Sequence, residues 1–168
     1  MGIRQREAML GLISMRVELG VAKKEQVEDH VVVLLQRHIC ADAHGNPVDF
    51  KITGGEVHDS KVAHQLIDLL EEAEYFIADK GYDSDAIREK AREAEMTPVI
   101  PRRSNSAKPN TEFDAYLYKL RHLVENLFAR LKHFRSISTR FDKLARNFKS
   151  MLYIACMFIW LQLLYGAK

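Results

Sequence analysis

The chain has 168 residues, 47% hydrophobic and 29% charged, a balance that fits one folded globular domain and excludes a disordered chain. Its net charge of +2 hides a division: residues 99–168 hold 13 Lys and Arg against four Asp and Glu, whereas residues 1–98 hold 12 against 19. The two cysteines, Cys40 and Cys156, lack metal-ligand spacing, so neither a zinc site nor a disulfide framework is expected and a reducing cytoplasm is the expected compartment.

Arg4 and Arg6 precede only a short, interrupted apolar run, which does not make a signal peptide. Gln5 to Leu19 reads as a short helix with Met9, Leu12 and Ile13 inward, followed by the charged run KKEQVED. His30 to Cys40, with VVVLL at its heart, is β-branched and apolar enough for a buried strand, with a helix as the alternative. AHGNP is a turn, and Pro47 to Thr53 alternates Val48, Phe50 and Ile52 against Asp49, Lys51 and Thr53, so a hairpin is expected. Asp59 or Ser60 caps a helix to about Glu74, and Tyr75 to Ala78 is a short apolar strand that stops at Asp79. Lys80, Gly81 and Tyr82 form a tight exit. Asp83 or Ser84 starts another helix to about Glu95, Thr97 to Ile100 is a strand closed by Pro101, and Arg102 to Asn110 is a polar loop, expected to be mobile.

Phe113 to Phe134 reads as one helix. At about 100° per residue, Tyr118, Arg121, Glu125 and Lys132 fall within roughly 60° of one another, beside an apolar stripe of Phe113, Leu117, Leu120, Leu123, Val124, Leu127, Leu131 and Phe134. One acid and three other polar groups therefore share a face at the edge of whatever the stripe docks on. A further helix starts near Leu144, and its end, MLYIACMFIWLQLLY, is apolar nearly all round. With 15 such residues and Gln162 among them, it falls short of the roughly 20 that a membrane span needs. A buried core or interface helix is expected instead.

Asp79 ends a hydrophobic strand, where the sheet fixes its backbone and its carboxylate reaches the strand's mouth, the place at which open α/β folds bind ligands. The 45 residues between it and Glu125 accommodate a helix, a strand and a loop, so the two carboxylates can meet. His58, Asp59 and His64 make a poor metal site, because Asp59 and His64 lie about 140° apart on a helix.

The spacing Tyr118-x2-Arg121-x3-Glu125-x6-Lys132 resembles that of the last acidic helix of DDE-type insertion-sequence transposases. ITGGEVHDSKVA, FIADKGYDSDAIR, VIPRRSN and KHFRSISTRFDKLARNF extend the resemblance in the same order, from about Ile39 to the C-terminus, leaving residues 1–38 as an atypical segment ahead of a catalytic domain over 39–168. The resemblance implies a ribonuclease-H-like mixed sheet flanked by helices, with its first strand missing or replaced. It further implies Asp79 and Glu125 as the second and third acidic ligands of Mg²⁺ or Mn²⁺, and strand cleavage and transfer at insertion-sequence ends. The partner implied is DNA, as terminal inverted repeats and target; a homodimer is a separate expectation, from the apolar character of the last helix. Tyr118, Arg121 and Lys132 match the family's flanking positions and would meet phosphates; Lys80, Arg102, Arg103, Arg135 and Arg140 are weaker candidates for DNA contact.

The family's first aspartate, in an Asp-Ser or Asp-Thr context ahead of the hairpin, has no counterpart here. Glu7, Glu18, Glu25, Glu28 and Asp29 end no clear apolar strand, and Asp42 belongs to the hairpin turn. The abrupt change at Ile39 suggests a truncated or frame-disrupted copy that binds DNA with little or no catalysis. A non-catalytic DNA-binding remnant and a protein-interaction module built on the last helix are the alternatives.

Overall fold

The computed structural model describes residues 9–15, 35–54, 57, 59–70, 73–111, 113–139 and 145–166. Five strands form one mixed sheet: β1 Met9–Met15, β2 Leu35–Ala41, β3 Pro47–Gly54, β4 Tyr75–Ala78 and β5 Thr97–Val99, in the order β3-β2-β1-β4-β5. β1 runs antiparallel to β2 and parallel to β4, and β4 runs parallel to β5. The expected hairpin is β2 and β3, paired antiparallel.

The segment expected to be a helix over Gln5 to Leu19 instead holds β1, at the centre of the sheet. The sheet therefore has a first strand where none was expected. MLGLISM shows why the reading failed: it is an apolar run without clear alternation, and over seven residues such a run is also compatible with a helical stripe. β2 starts at Leu35, later than His30; residues 16–34, including most of VVVLL, lie outside the described residues.

The β2–β3 turn is built by Asp42. Its Oδ1 accepts from the main-chain amides of His44 (2.9 Å) and Asn46 (2.8 Å), and its Oδ2 accepts from Asn46 Nδ2 (3.0 Å). Asp42 is thus a turn residue, as its sequence context indicated. Gly45 adopts φ +77°, and a Cβ there would lie 3.1 Å from the carbonyl oxygen of Leu123.

Helices cover both faces. Ile39 and Ala41 point to one side of β2 and Cys40 to the other, the period of two of a strand. On the Cys40 side, α1 (Asp59–Ile67) and α2 (Asp85–Glu93) bury Val62, Ala63, Leu66, Ile67, Ile87 and Ala91 against Phe76 and Ala78. On the other side lie α4 (His122–Lys132), α5 (Arg135–Thr139) and α6 (Ala145–Gly166). There Val124, Leu127, Phe128, Leu131, Phe148, Leu152, Ala155 and Ile159 pack with Ile39, Ala41 and Phe50. α1 ends well before Glu74, its last bonds tightening to Leu69 N–Leu66 O and Leu70 N–Ile67 O.

Two helices replace the single one expected over Phe113 to Phe134. α3 spans Ala115–Lys119, capped by Asp114, whose side chain accepts from the amides of Tyr116 and Leu117. Leu120 and Arg121 then tighten the path, with Leu120 N bonding Leu117 O and Arg121 N bonding Tyr118 O, before α4 begins. Both residues keep right-handed helical dihedrals, so the axis is adjusted without reversing.

Candidate functional site

Asp79 follows β4 directly, in extended conformation, and caps a 3₁₀ turn over Lys80–Tyr82: its Oδ1 accepts from Lys80 N at 2.7 Å. The turn's carbonyl and amide bonds, Tyr82 N to Asp79 O (2.9 Å) and Asp83 N to Lys80 O (3.1 Å), fix the backbone that carries the carboxylate. Tyr82 points inward, where its hydroxyl meets His38 Nδ1 at 2.9 Å, and His38 Nε2 meets Thr53 Oγ1 at 3.1 Å. The turn is thereby tied through β2 to β3.

α3 packs on β4 and brings Tyr118 to Asp79. The Tyr118 phenol is pushed above its ordinary pKa, first by partial burial and then by its hydrogen bond to Asp79 and the charges of Asp79 and Glu125, while the Arg121 guanidinium pulls the other way. Arg121 also lies over the Tyr118 ring, 5.5 Å from its centroid, and pairs with Glu125 at 2.7 Å, one helical turn apart. Phe113 packs against Tyr118, the two rings tilted with their centroids 5.2 Å apart. Tyr118 thus links Asp79 to Arg121, and Arg121 links Tyr118 to Glu125. Lys132 is exposed in the last turn of α4, two turns beyond Glu125, on a line with it at about 10 Å of axial rise.

The other basic residues singled out in the sequence have different places. Arg102 is spent on carboxylates: its Nη1 donates to Asp85 Oδ1 at 2.9 Å and Asp83 Oδ1 at 3.3 Å. Arg103 donates to the carbonyls of Gly81 (3.0 Å) and Lys80 (3.3 Å). The Lys80 side chain and Arg135 are exposed, Arg135 opening α5, and Arg140 lies outside the described residues. His58 and the side chain of Asp59 also lie outside them. Among the described residues no three His, Cys, Asp or Glu side chains gather into a metal-holding cluster.

Sequence reasoning missed the hub on which the site's outer wall hangs. Asp83 and Asp85 read as residues that start a helix, yet the Asp83 carboxylate is nearly buried, bonded by Arg88 at 3.0 Å and by the Arg103 amide at 2.8 Å. Arg88 in turn donates to Ile100 O at 2.7 Å, and Lys108 pairs with Asp85. Burial works to raise the Asp83 pKa, but the Arg103 amide and the Arg88 and Arg102 charges outweigh it, and the net shift is downward. Asp85 is lowered to about 2 by its bonds to Lys108 and Arg102. The loop expected to be mobile is thus clipped to the start of α2, with Asn110 Nδ2 adding a bond of 3.1 Å to Ile100 O. Two acids at 83 and 85 with Arg88, Arg102, Arg103 and Lys108 around them were the available signal.

The profile of the family described as "Transposase DDE domain" matches residues 21–160, and the chain belongs to that family. The match begins ahead of Ile39, where the family-like motifs start. The chain is 33% identical, over 129 residues, to a protein named as the transposase of an insertion sequence element of Brucella ovis, covering 74% of this chain and 96% of that one. A second, from Burkholderia cepacia, is 33% identical over 135 residues and 61% of its length, and an insertion-sequence transposase of Neisseria meningitidis serogroup B is 32% identical over 100 residues and 35% of its length. The chain thus spans somewhat less than two thirds of the Burkholderia relative and about a third of the Neisseria one. Among solved structures, a simian T-cell lymphotropic virus intasome overlaps with TM-score 0.42 and 12% identity, over 90% of this chain and 48% of that chain, too slight a likeness to bear on the fold.

Proposed function

We propose that this chain is a DNA-binding DDE transposase chain of ribonuclease-H-like fold in which Asp79 and Glu125 hold one divalent cation and strand cleavage is lost. The observation that carries the reading is the linked cluster Asp79–Tyr118–Arg121–Glu125 at the C-terminal end of β4. The sheet order, with an antiparallel β3-β2-β1 half joined to parallel β4 and β5, supports the fold assignment.

The donor set fits one hard cation. Mg²⁺ is commonly bound by one or two carboxylates with water and substrate phosphates completing its shell, and Asp79 and Glu125 are such a pair. Bound there, the ion supplies Lewis-acid polarisation of a phosphoryl oxygen. Around it, Arg121, which in this structure neutralises Glu125, is placed to turn to a phosphate, and the Tyr118 hydroxyl holds the Asp79 carboxylate in orientation. Lys132 extends the cationic line along α4. Lys80 and Arg135 are weaker contributors to the same DNA surface, as is Arg140.

Two-ion strand cleavage needs further carboxylates. β1 is the strand beside β4, with Leu12 opposite Ala78, the residue before Asp79, and its sequence MLGLISM carries no acid. Losing the second ion removes several kcal/mol of transition-state stabilisation, on the order of 10³-fold or more in rate. Incubation of the chain with DNA carrying insertion-sequence ends and Mn²⁺ tests the reading. Salt-dependent binding without nicking is expected, and nicking that Asp79→Asn abolishes would overturn the loss of cleavage. A cytoplasmic setting goes with this function.

A second reading concerns self-association and rests on α6. The helix has 22 residues and starts near Leu144 as expected; by length and composition it could cross a membrane, but Phe148, Leu152, Ala155 and Ile159 are packed into the core. Opposite that face, Tyr153, Met157, Trp160 and Leu164 are exposed at heptad-like spacing, flanked by Ile154 and Leu161, and no charged residue occurs from Met151 to Tyr165. With about half of each large side chain exposed, the outward face offers on the order of 800 Å², what one partner of a stable interface buries. The occupant we infer is a second copy of the chain.

A further inference from the structure

We propose that Arg103 is a positioning residue for Asp79 and not a phosphate contact. The proposal rests on the reading of Asp79 as a metal ligand and assigns Arg103 the task of holding the turn that aims it.

The 3₁₀ turn after Asp79 has an inner and an outer fastening. Inside, the Tyr82–His38–Thr53 chain anchors it to β2 and β3. Outside, the carbonyls of Lys80 and Gly81 have lone pairs to offer beyond the one main-chain bond that Lys80 O accepts from the Asp83 amide at 3.1 Å. Arg103 reaches both: Nη2 bonds Gly81 O and Nε bonds Lys80 O. Its own main chain is fixed by the Asp83 carboxylate, which the buried Arg88 holds in place while bonding Ile100 O. The segment leaving β5 and the segment leaving β4 are thus cross-linked at residues 100, 103, 80, 81 and 83. A guanidinium fork spread over two consecutive carbonyls cannot also grip a phosphate through the same two donors.

The geometry also predicts that lysine will not substitute. An ammonium group keeps the charge but lacks the planar fork that reaches two carbonyls at once. Arg103→Ala and Arg103→Lys, compared with the parent chain, separate the possibilities through three readouts. Amide hydrogen exchange at Lys80 and Tyr82 is read in the metal-free chain, Mn²⁺ affinity by titration, and the salt dependence of DNA binding by the slope of log affinity against log salt.

The expected result is exchange about tenfold faster in both variants, Mn²⁺ affinity weaker by about tenfold, as for other residues that orient metal ligands, and an unchanged salt slope. A phosphate contact would behave in the opposite way. Arg103→Ala would then lower the slope by about one while Arg103→Lys retained it, with exchange unchanged in both, and that result overturns the proposal. Slow exchange restored by Arg103→Lys would also overturn it. If the parent chain binds no Mn²⁺, the metal reading of Asp79 fails, whereas the exchange rates still decide whether Arg103 holds the turn.

Discussion

Asp79 shows how a single carboxylate is given a direction. Its Oδ1 accepts from the Lys80 amide, its carbonyl accepts from Tyr82, and the Tyr118 hydroxyl approaches from α3. Removing that hydroxyl by Tyr118→Phe leaves the ring packed on Phe113 and the carboxylate held by the Lys80 amide alone, so Mn²⁺ binding should weaken several-fold while the thermal midpoint stays within a few degrees. The buried pair Asp83–Arg88 behaves differently. Arg88→Ala strands a nearly buried carboxylate and should cost about 3–5 kcal/mol, read from the urea midpoint of unfolding. At Asp85 the folded pKa is about 2 against an ordinary 3.8. A depressed carboxylate pKa means that its stabilisation is fully present above about pH 4 and is lost as the pH falls towards 2. The carboxyl resonance of Asp85 should therefore titrate near 2, and Lys108→Ala should move it back towards 3.8.

Elements were legible in the sequence where one physical signal dominated. β3, β4 ending at an acid, and the β2–β3 turn with Asp42, Gly45 and Asn46 stand where they were read, although of the three apolar residues that alternate in β3 only Phe50 is buried and Val48 is exposed. The acidic helix was legible by its apolar period, although Phe128, which fits the same buried face, went unread and the tightening at Leu120 and Arg121 left no mark in composition. β1 was illegible because MLGLISM shows no clear alternation, and over seven residues an apolar run also fits a helical stripe. The clipped loop was illegible because its anchors are ion pairs with residues 17 to 23 positions earlier, and propensity carries no such long-range information. At this scale the turn offers a sharp test: Gly45→Ala places a side chain at φ +77° and 3.1 Å from Leu123 O. It should destabilise by about 1–2 kcal/mol in denaturant unfolding; an unchanged midpoint would contradict the close approach of hairpin and α4.

Across the whole molecule, charge and apolar surface are segregated. The surplus of cations lies from residue 99 onward, on the loop after β5 as well as on the helices that follow it, whereas the acidic half supplies Asp79 and the carboxylates that hold Arg88 and Arg102. Part of the basic surplus is therefore consumed internally, and the surface left to DNA is narrower than composition suggested. α6 gives the molecule its other face. Sedimentation of the chain should show a dimer, and Met157→Glu with Leu164→Glu should yield monomers without loss of helix content; a monomeric parent would remove self-association from the account.

The most direct measurement is a calorimetric titration of Mn²⁺ into the chain, set beside Asp79→Asn and Glu125→Gln. The account predicts one ion bound per chain and its loss in either variant, because both carboxylates serve the same cation. A parent chain that binds none, or binding that survives both substitutions, would contradict the convergence of Asp79 and Glu125 on one site.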